Sequence, residues 1–293
     1  MIIDSHIHLY PSEASSDPHS WAQSRHEPYW LSCVKPDQGP QLQGWASGDQ
    51  LLSDMDAASV DKAIILGWYW ENPSTCYEQN EWMQQAVALH PDRLHYMASF
   101  NAKGGQHSLD DIQRAFNNGA LGIGELNPPA QGYTYDNPTL SKALQLTAEA
   151  KRCANFHVTE PAGHSYPGKI DTPLADLQNL AKNHPDTQFI FAHLGGLLPF
   201  YEFNSSTHSA LNNVVYDTAA TPLLYSKKVY RSLCDAIGHE RILFGTDYPL
   251  KTFPKLQSTP DFKHHIERLK NAQLNETELI SILGTNAKRV FNF

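Results

Sequence analysis

The chain opens Met1-Ile-Ile-Asp-Ser-His-Ile-His-Leu9, an apolar, β-branched run with polar residues at Asp4, His6 and His8. Residues two apart on a strand share a face, so His6 and His8 point together while Ile7 points away. Two adjacent imidazoles make a costly core but suit a divalent metal. Seven further runs of the same kind follow: Lys62–Trp70, His95–Asn101, Leu121–Asn127, Ala154–Thr159, Gln188–Leu194, Asn213–Thr218 and Ile242–Asp247. Runs such as AIILGWYW, FIFAHLGG and ILFGTDYP read as strands buried on both faces, which a parallel sheet requires.

Helical patterns separate the strands, at Gly48–Ser59, Tyr77–Leu89, Ser108–Asn118, Pro138–Arg152, Thr172–Asn183, Ser226–Ile237 and Asp261–Asn271. Ser108 is read as a helix start and Gly119 as a stop; Asp171-Thr172-Pro173 reads as a cap with proline at the first helical position. Eight strands alternating with helices predict one closed (β/α)8 barrel, an α/β fold, spanning residues 1–293 as a single domain. A doubly wound open sheet is the alternative. Residues 279–293 read as C-terminal helices after the eighth strand. The stretch 10–47 is long for a βα connection, and it holds five prolines and three of the six tryptophans. That content predicts an ordered, lid-like insertion over the barrel mouth.

Of the 293 residues, 41% are hydrophobic, enough for a large core. The net charge of −9 argues against a nucleic-acid backbone as partner. No apolar run approaches the roughly 18 residues that cross a bilayer. The four cysteines form no C-x-x-C pair, and Asp4 stands where a signal peptide carries basic residues. A cytoplasmic enzyme acting on a small molecule is expected, with a homo-oligomer left open. Gly163 to Lys169 spells G-x-x-x-x-G-K, but Ile170 replaces the Ser or Thr that a phosphate loop needs for magnesium.

The chemistry gathers at strand ends. Glu125 closes GIGEL, His157 sits in NFHVT, His193 in FIFAHLGG and Asp247 in LFGTDYP. In a barrel these ends converge on one face, where the active sites of the fold lie. Asp4 reads either as a partner to a ligand histidine or as a hydrogen-bonding carboxylate low in the barrel.

With its His6-Ile-His8, His157, His193 and Gly245-Thr-Asp-Tyr-Pro249 motifs, the chain resembles the amidohydrolase superfamily from Met1 to Phe291. More narrowly it is similar to the amidohydrolase-related, metal-dependent hydrolases of TIM-barrel fold, a group that includes the aminocarboxymuconate-semialdehyde decarboxylases. The resemblance implies His6, His8 and His157 as metal ligands, with Asp247 a further ligand that can also exchange a proton. It implies His193 as the ligand of a second metal or as an acid/base. Glu125 resembles the strand-four glutamate of TatD-type nucleases, a ligand there, and could otherwise orient substrate. The implied cofactor is one or two divalent ions, Zn²⁺ first and Mn²⁺ second.

Metal-activated water cleaving an ester, lactone or amide-type bond is the first expectation, with Asp247 and His193 as catalytic residues. A non-oxidative decarboxylase of a carboxylated ring compound is the alternative. Substrate contacts are expected from His164, Tyr166 and Lys169 after the fifth strand, from Asn127 and Gln131 after the fourth, and from Trp68 after the second.

Overall fold

The structure is a computed structural model that describes all 293 residues. Eight strands run parallel in chain order: β1 (Ile3–Ile7), β2 (Lys62–Leu66), β3 (Leu94–Met97), β4 (Gly122–Leu126), β5 (Cys153–Phe156), β6 (Gln188–Phe191), β7 (Val214–Asp217) and β8 (Ile242–Leu243). They form two arcs, β1-β2-β3 and β4-β5-β6-β7-β8. A bridge between Ala98 and Ile123 joins the arcs on one side, with Ala98 N–H donating to Gly122 O (2.8 Å) and Gly124 N–H to Ala98 O (2.9 Å). On the other side Ile7 bridges Tyr248, and Asp247 N–H donates to His6 O (2.9 Å). The ring therefore closes. The last strand is regular only at Ile242–Leu243, short of the expected Asp247: Phe244 N–H donates to Ile282 O, Gly245 N–H to Thr218 Oγ1 and Thr246 N–H to Asp4 Oδ1, and Asp247 is left-handed (φ 67°).

Every β1 residue is buried, as a strand needs when it faces side chains inside the barrel and helices outside. The floor has an unexpected plug. Ile3, Ile64, Met97, Cys153, Ile190, Val215 and Leu243, from seven strands, cluster with Ala287, Val290 and Phe291 of the last helix. That helix continues from Glu276–Ile280 through one π turn to Asn286–Phe291, so the expected terminal pair is a single bent rod. At Gly284 a Cβ would lie 2.3 Å from Met1 O, so only glycine lets the rod meet the start of the chain.

Two helix starts differ from the sequence reading. Thr172 spends its hydroxyl on Thr159 N–H (2.7 Å), so it caps nothing and the helix begins at Leu174, after Pro173. Ser108 lies inside a helix that starts at Gln106, donating to Asn101 O (2.8 Å). Gly119 does follow its helix end with φ 92°.

The 10–47 insertion carries three short helices, Ser12–Ser16, Pro18–Arg25 and Pro28–Val34. Its Tyr10, Trp21 and Trp30 pack into one aromatic cluster with Trp68, Tyr69 and Trp70 from the end of β2. The buried Glu27 carboxylate accepts from the N–H groups of Glu71 (2.8 Å) and Asn72 (3.1 Å), fastening the insertion to the β2 loop.

Candidate metal centre

His6 and His8 enter the barrel mouth from β1, and Glu125 enters from β4. Gly124, with φ 137°, lets β4 come close to β5: a Cβ there would sit 2.6 Å from Asn155 O. His157 directly follows β5, while His193 and Asp247 stand further out in the loops after β6 and β8. His193 begins a run of five left-handed residues, with φ of 58°, 56°, 58°, 58° and 71° from His193 to Leu197. Left-handed backbone costs a non-glycine residue about 1 kcal/mol or more, and such strain gathers at functional sites. Here it falls on both His193 and Asp247.

Five of the six side chains form two donor groups that share Glu125, and Asp247 stands beside the first. In the first, His6 Nε2 lies 3.3 Å from His8 Nε2, and Glu125 Oε2 lies 3.8 and 3.5 Å from those nitrogens. Asp247 Oδ1 stands at the same two distances, 3.8 and 3.5 Å. In the second, His157 Nδ1 is 2.9 Å from Glu125 Oε1 and 3.0 Å from His193 Nε2.

The outer nitrogens are committed. His6 Nδ1 faces Asp217 Oδ2 (2.8 Å), His8 Nδ1 faces Leu66 O (3.3 Å), and His193 Nδ1 faces Ala219 O (2.9 Å). A proton on each outer nitrogen leaves Nε2 as a bare lone pair aimed inward. Two such lone pairs 3.3 Å apart repel unless a cation lies between them. Two donors about 2.1 Å from one tetrahedral ion stand about 3.4 Å apart, the spacing seen in the first group. The donor set fits a divalent cation.

The local charge agrees. Burial opposes a charge on His6, but Asp217, Glu125 and Asp247 outweigh it and raise its pKa to about 10. Burial likewise opposes His193, and Glu125 and Asp247 raise it to about 9. Burial would push Glu125 up, yet His157 and His6 hold it well below the usual carboxylate range. The carboxylates here draw positive charge to the imidazoles: protons can meet that demand, and a divalent cation would displace them and take their place.

A cavity of about 460 Å³ opens onto this centre. His8, Glu125, His157, His193 and Asp247 form its floor, and Trp68, His164 and Tyr166 are among the residues that line it. Lys169, Asn127 and Gln131 do not line it. Lys169 pairs with Glu160 (2.8 Å), which also accepts from the Tyr166 hydroxyl (3.0 Å). Asn127 Oδ1 caps the turn Pro128–Gln131 while its Nδ2 has no partner, and Gln131 donates to the carbonyls of Phe100 (2.7 Å) and Trp70 (3.2 Å). Asp4 takes the lower role, accepting from Thr246 Oγ1 (2.6 Å) and from the His6 backbone N–H rather than its ring.

The sequence reading missed Asp217. It ends β7 in VVYDTAA, the position equivalent to the other site residues, and that placement was the available signal. Tyr69 was also missed. It stacks on Trp68 (ring centroids 4.2 Å apart) and tilts against His157 (5.2 Å), making an aromatic shelf beside the donors.

The amidohydrolase family model matches residues 3–293, and the chain belongs to that family. Among solved structures, 5-carboxyvanillate decarboxylase from Sphingomonas paucimobilis is similar at 15% identity and a TM-score of 0.75, covering 100% of this chain and 99% of its own. The 2,6-dihydroxybenzoate decarboxylase from Rhizobium shares 17% identity with a TM-score of 0.68, over 99% and 98%. A dihydroxybenzoic acid decarboxylase from Polaromonas sp. JS666, solved with manganese and 2-nitroresorcinol, shares 14% with a TM-score of 0.69, over 99% and 96%. At these identities the likeness establishes the barrel fold. It also corrects the hydrolase expectation: these full-length likenesses are decarboxylases, and the alternative reading accounts for them better. No helix is long and apolar enough to cross a membrane.

Proposed function

We propose that this chain is a metal-dependent, non-oxidative decarboxylase of a carboxylated ring compound. The observation that carries this reading is the cavity itself, an aromatic and aliphatic chamber whose floor is the cluster of His8, Glu125, His157, His193 and Asp247. The activities of the similar structures lend support. His6, His8, Glu125 and Asp247 would hold one ion, because their donor atoms converge to within 3.3–3.8 Å of the two histidine nitrogens. His157 and His193 are already tied to Glu125 by contacts of 2.9 and 3.3 Å. Mixed imidazole and carboxylate donors suit Mn²⁺ as well as Zn²⁺, and manganese is the ion to load first.

When bound, the ion supplies positive charge to the substrate's carboxylate and ring oxygens. The Trp68–Tyr69 shelf holds the ring flat, and Pro36, Pro40 and Leu42 of the insertion cover it on the solvent side. Asp247, when protonated, delivers its proton to the ring carbon that bears the carboxylate. The bond from that carbon to the carboxylate then breaks, its electron pair returns to the ring, carbon dioxide leaves, and solvent reprotonates Asp247. The balance needs no oxidant. The test is carbon dioxide release from 2,6-dihydroxybenzoate and related hydroxylated aromatic acids by the manganese-loaded protein. Equimolar carbon dioxide and decarboxylated ring are expected; no release from any of them overturns the reading.

A further inference from the structure

We infer that the cavity selects ring acids carrying one carboxylate and rejects those with a second, through charge rather than size. The inference rests on the decarboxylase reading for the identity of the ligand, but the charge rule comes from the wall itself. Above the donor cluster the wall is made of Tyr10, Leu42, Trp68, Tyr69, Leu223 and Leu250, with several prolines and no lysine or arginine. The carboxylates of Glu125 and Asp247 lie on its floor beside His8, His157 and His193. Lys169 follows the lining residue Gly168, yet its ammonium is neutralised by Glu160 at 2.8 Å.

A first carboxylate has a partner in the divalent ion of the floor. A second, on the far side of the same ring, would be stripped of water against leucine and tryptophan, with no cation to replace its hydration. Burying an unpaired ionised carboxylate is among the most unfavourable events in recognition. A neutral polar group of the same size meets none of this penalty and can use the His164 and Tyr166 rim.

Three ligands test the rule on the manganese-loaded protein by calorimetry: salicylate, 5-carbamoylsalicylate and 5-carboxysalicylate. The amide and the acid have nearly equal size and differ in charge. Salicylate and the amide are expected to bind within about tenfold of each other, and the dicarboxylate at least about a hundredfold more weakly than the amide. A dicarboxylate within tenfold of the amide overturns the inference, as does failure of all three to bind. Leu223→Arg should recover dicarboxylate binding at least tenfold, with Leu250→Lys as the second variant if the first does not fold. No gain in a folded variant overturns charge as the cause. Because the readout is binding, discrimination that persists without carbon dioxide release sinks the reaction and leaves the charge rule standing.

Discussion

Asp217 Oδ2 lies 2.8 Å from His6 Nδ1, while its Oδ1 accepts the backbone N–H groups of His193 and Ala219, both at 3.0 Å. One buried carboxylate thus sets the ring of a β1 ligand and the first residue of the left-handed turn after β6. Opposite-charge partners of ligand imidazoles fix the tautomer and make the ring more basic. Asp217→Asn keeps the shape but places an amide where His6 needs an acceptor. Metal affinity, measured by chelator competition, should fall roughly 10–100-fold, with the circular dichroism spectrum retained. Unchanged affinity would reduce Asp217 to a purely structural brace.

Glu125 is the one side chain that faces both donor groups, with Oε2 3.5 Å from His8 Nε2 and Oε1 2.9 Å from His157 Nδ1. Elemental analysis of the loaded protein should count one ion per chain, and His6→Ala or Glu125→Gln should lose most of it. Two ions per chain would assign His157 and His193 to a second site.

Proton delivery is expected to depend on Asp247 more than on any other group. Asp247→Asn should lower turnover at least about a hundredfold, the scale of a lost acid/base group, while substrate still binds. His193→Ala should produce a loss of similar size by releasing Glu125 and His157. Near-native kcat in Asp247→Asn would move the proton donor elsewhere.

Trp30 is fully buried and packs against Trp21, Trp45 and Trp70 with ring centroids 4.9, 6.3 and 5.6 Å away. Truncation of such a side chain costs about 3–5 kcal/mol. Trp30→Ala should therefore lower the melting temperature of the whole protein, which makes the insertion part of the core as well as a roof. A variant that melts normally and loses only substrate affinity would make it a separable lid.

Acid stability should report His265. It is buried against Phe244 beside the Tyr230 and Thr221 hydroxyls, and burial, followed by the nearby Arg268 charge, holds its pKa down to about 3 against an ordinary 6.5. As pH falls below about 6.5 the unfolded chain takes up the proton and the folded chain does not. Stability is then complete above about 6.5 and drops towards pH 3 by up to about 1.4 kcal/mol per unit. Urea unfolding at pH 7 and pH 5 should show a smaller difference for His265→Gln than for the native protein. An equal difference would assign the acid sensitivity to other groups.

The barrel and its rim were legible because they are written locally. A buried parallel strand is a short apolar run, and a site residue is the polar residue at its end, so Glu125, His157, His193 and Asp247 could be placed without coordinates. Asp217 has the same grammar but looks like an ordinary strand terminus until its partner His6, 211 residues away, is beside it. Asn127 and Gln131 show the reverse failure. They follow a site strand in polar sequence, yet Asn127 Oδ1 caps the turn at Pro128 and Gln131 is bound to the carbonyls of Phe100 and Trp70, which spacing alone does not reveal. Thr172 was misread for the same reason, since its hydroxyl serves Thr159 across the loop. The plug of Ala287, Val290 and Phe291 is a tertiary event: its apolar spacing says only that some surface covers it.

The left-handed turn from His193 to Leu197 also sets where this protein can be re-engineered. A Cβ at Gly195 would stand 2.7 Å from the Tyr216 ring, and one at Gly196 would stand 2.9 Å from Thr159 O. A saturation library at these two positions should return glycine almost alone, however close they lie to the chemistry. Leu42, Leu223 and Leu250 are only partly buried and line the chamber without holding it together. New substrate ranges should come from those three positions, with the turn left as a fixed point of the scaffold.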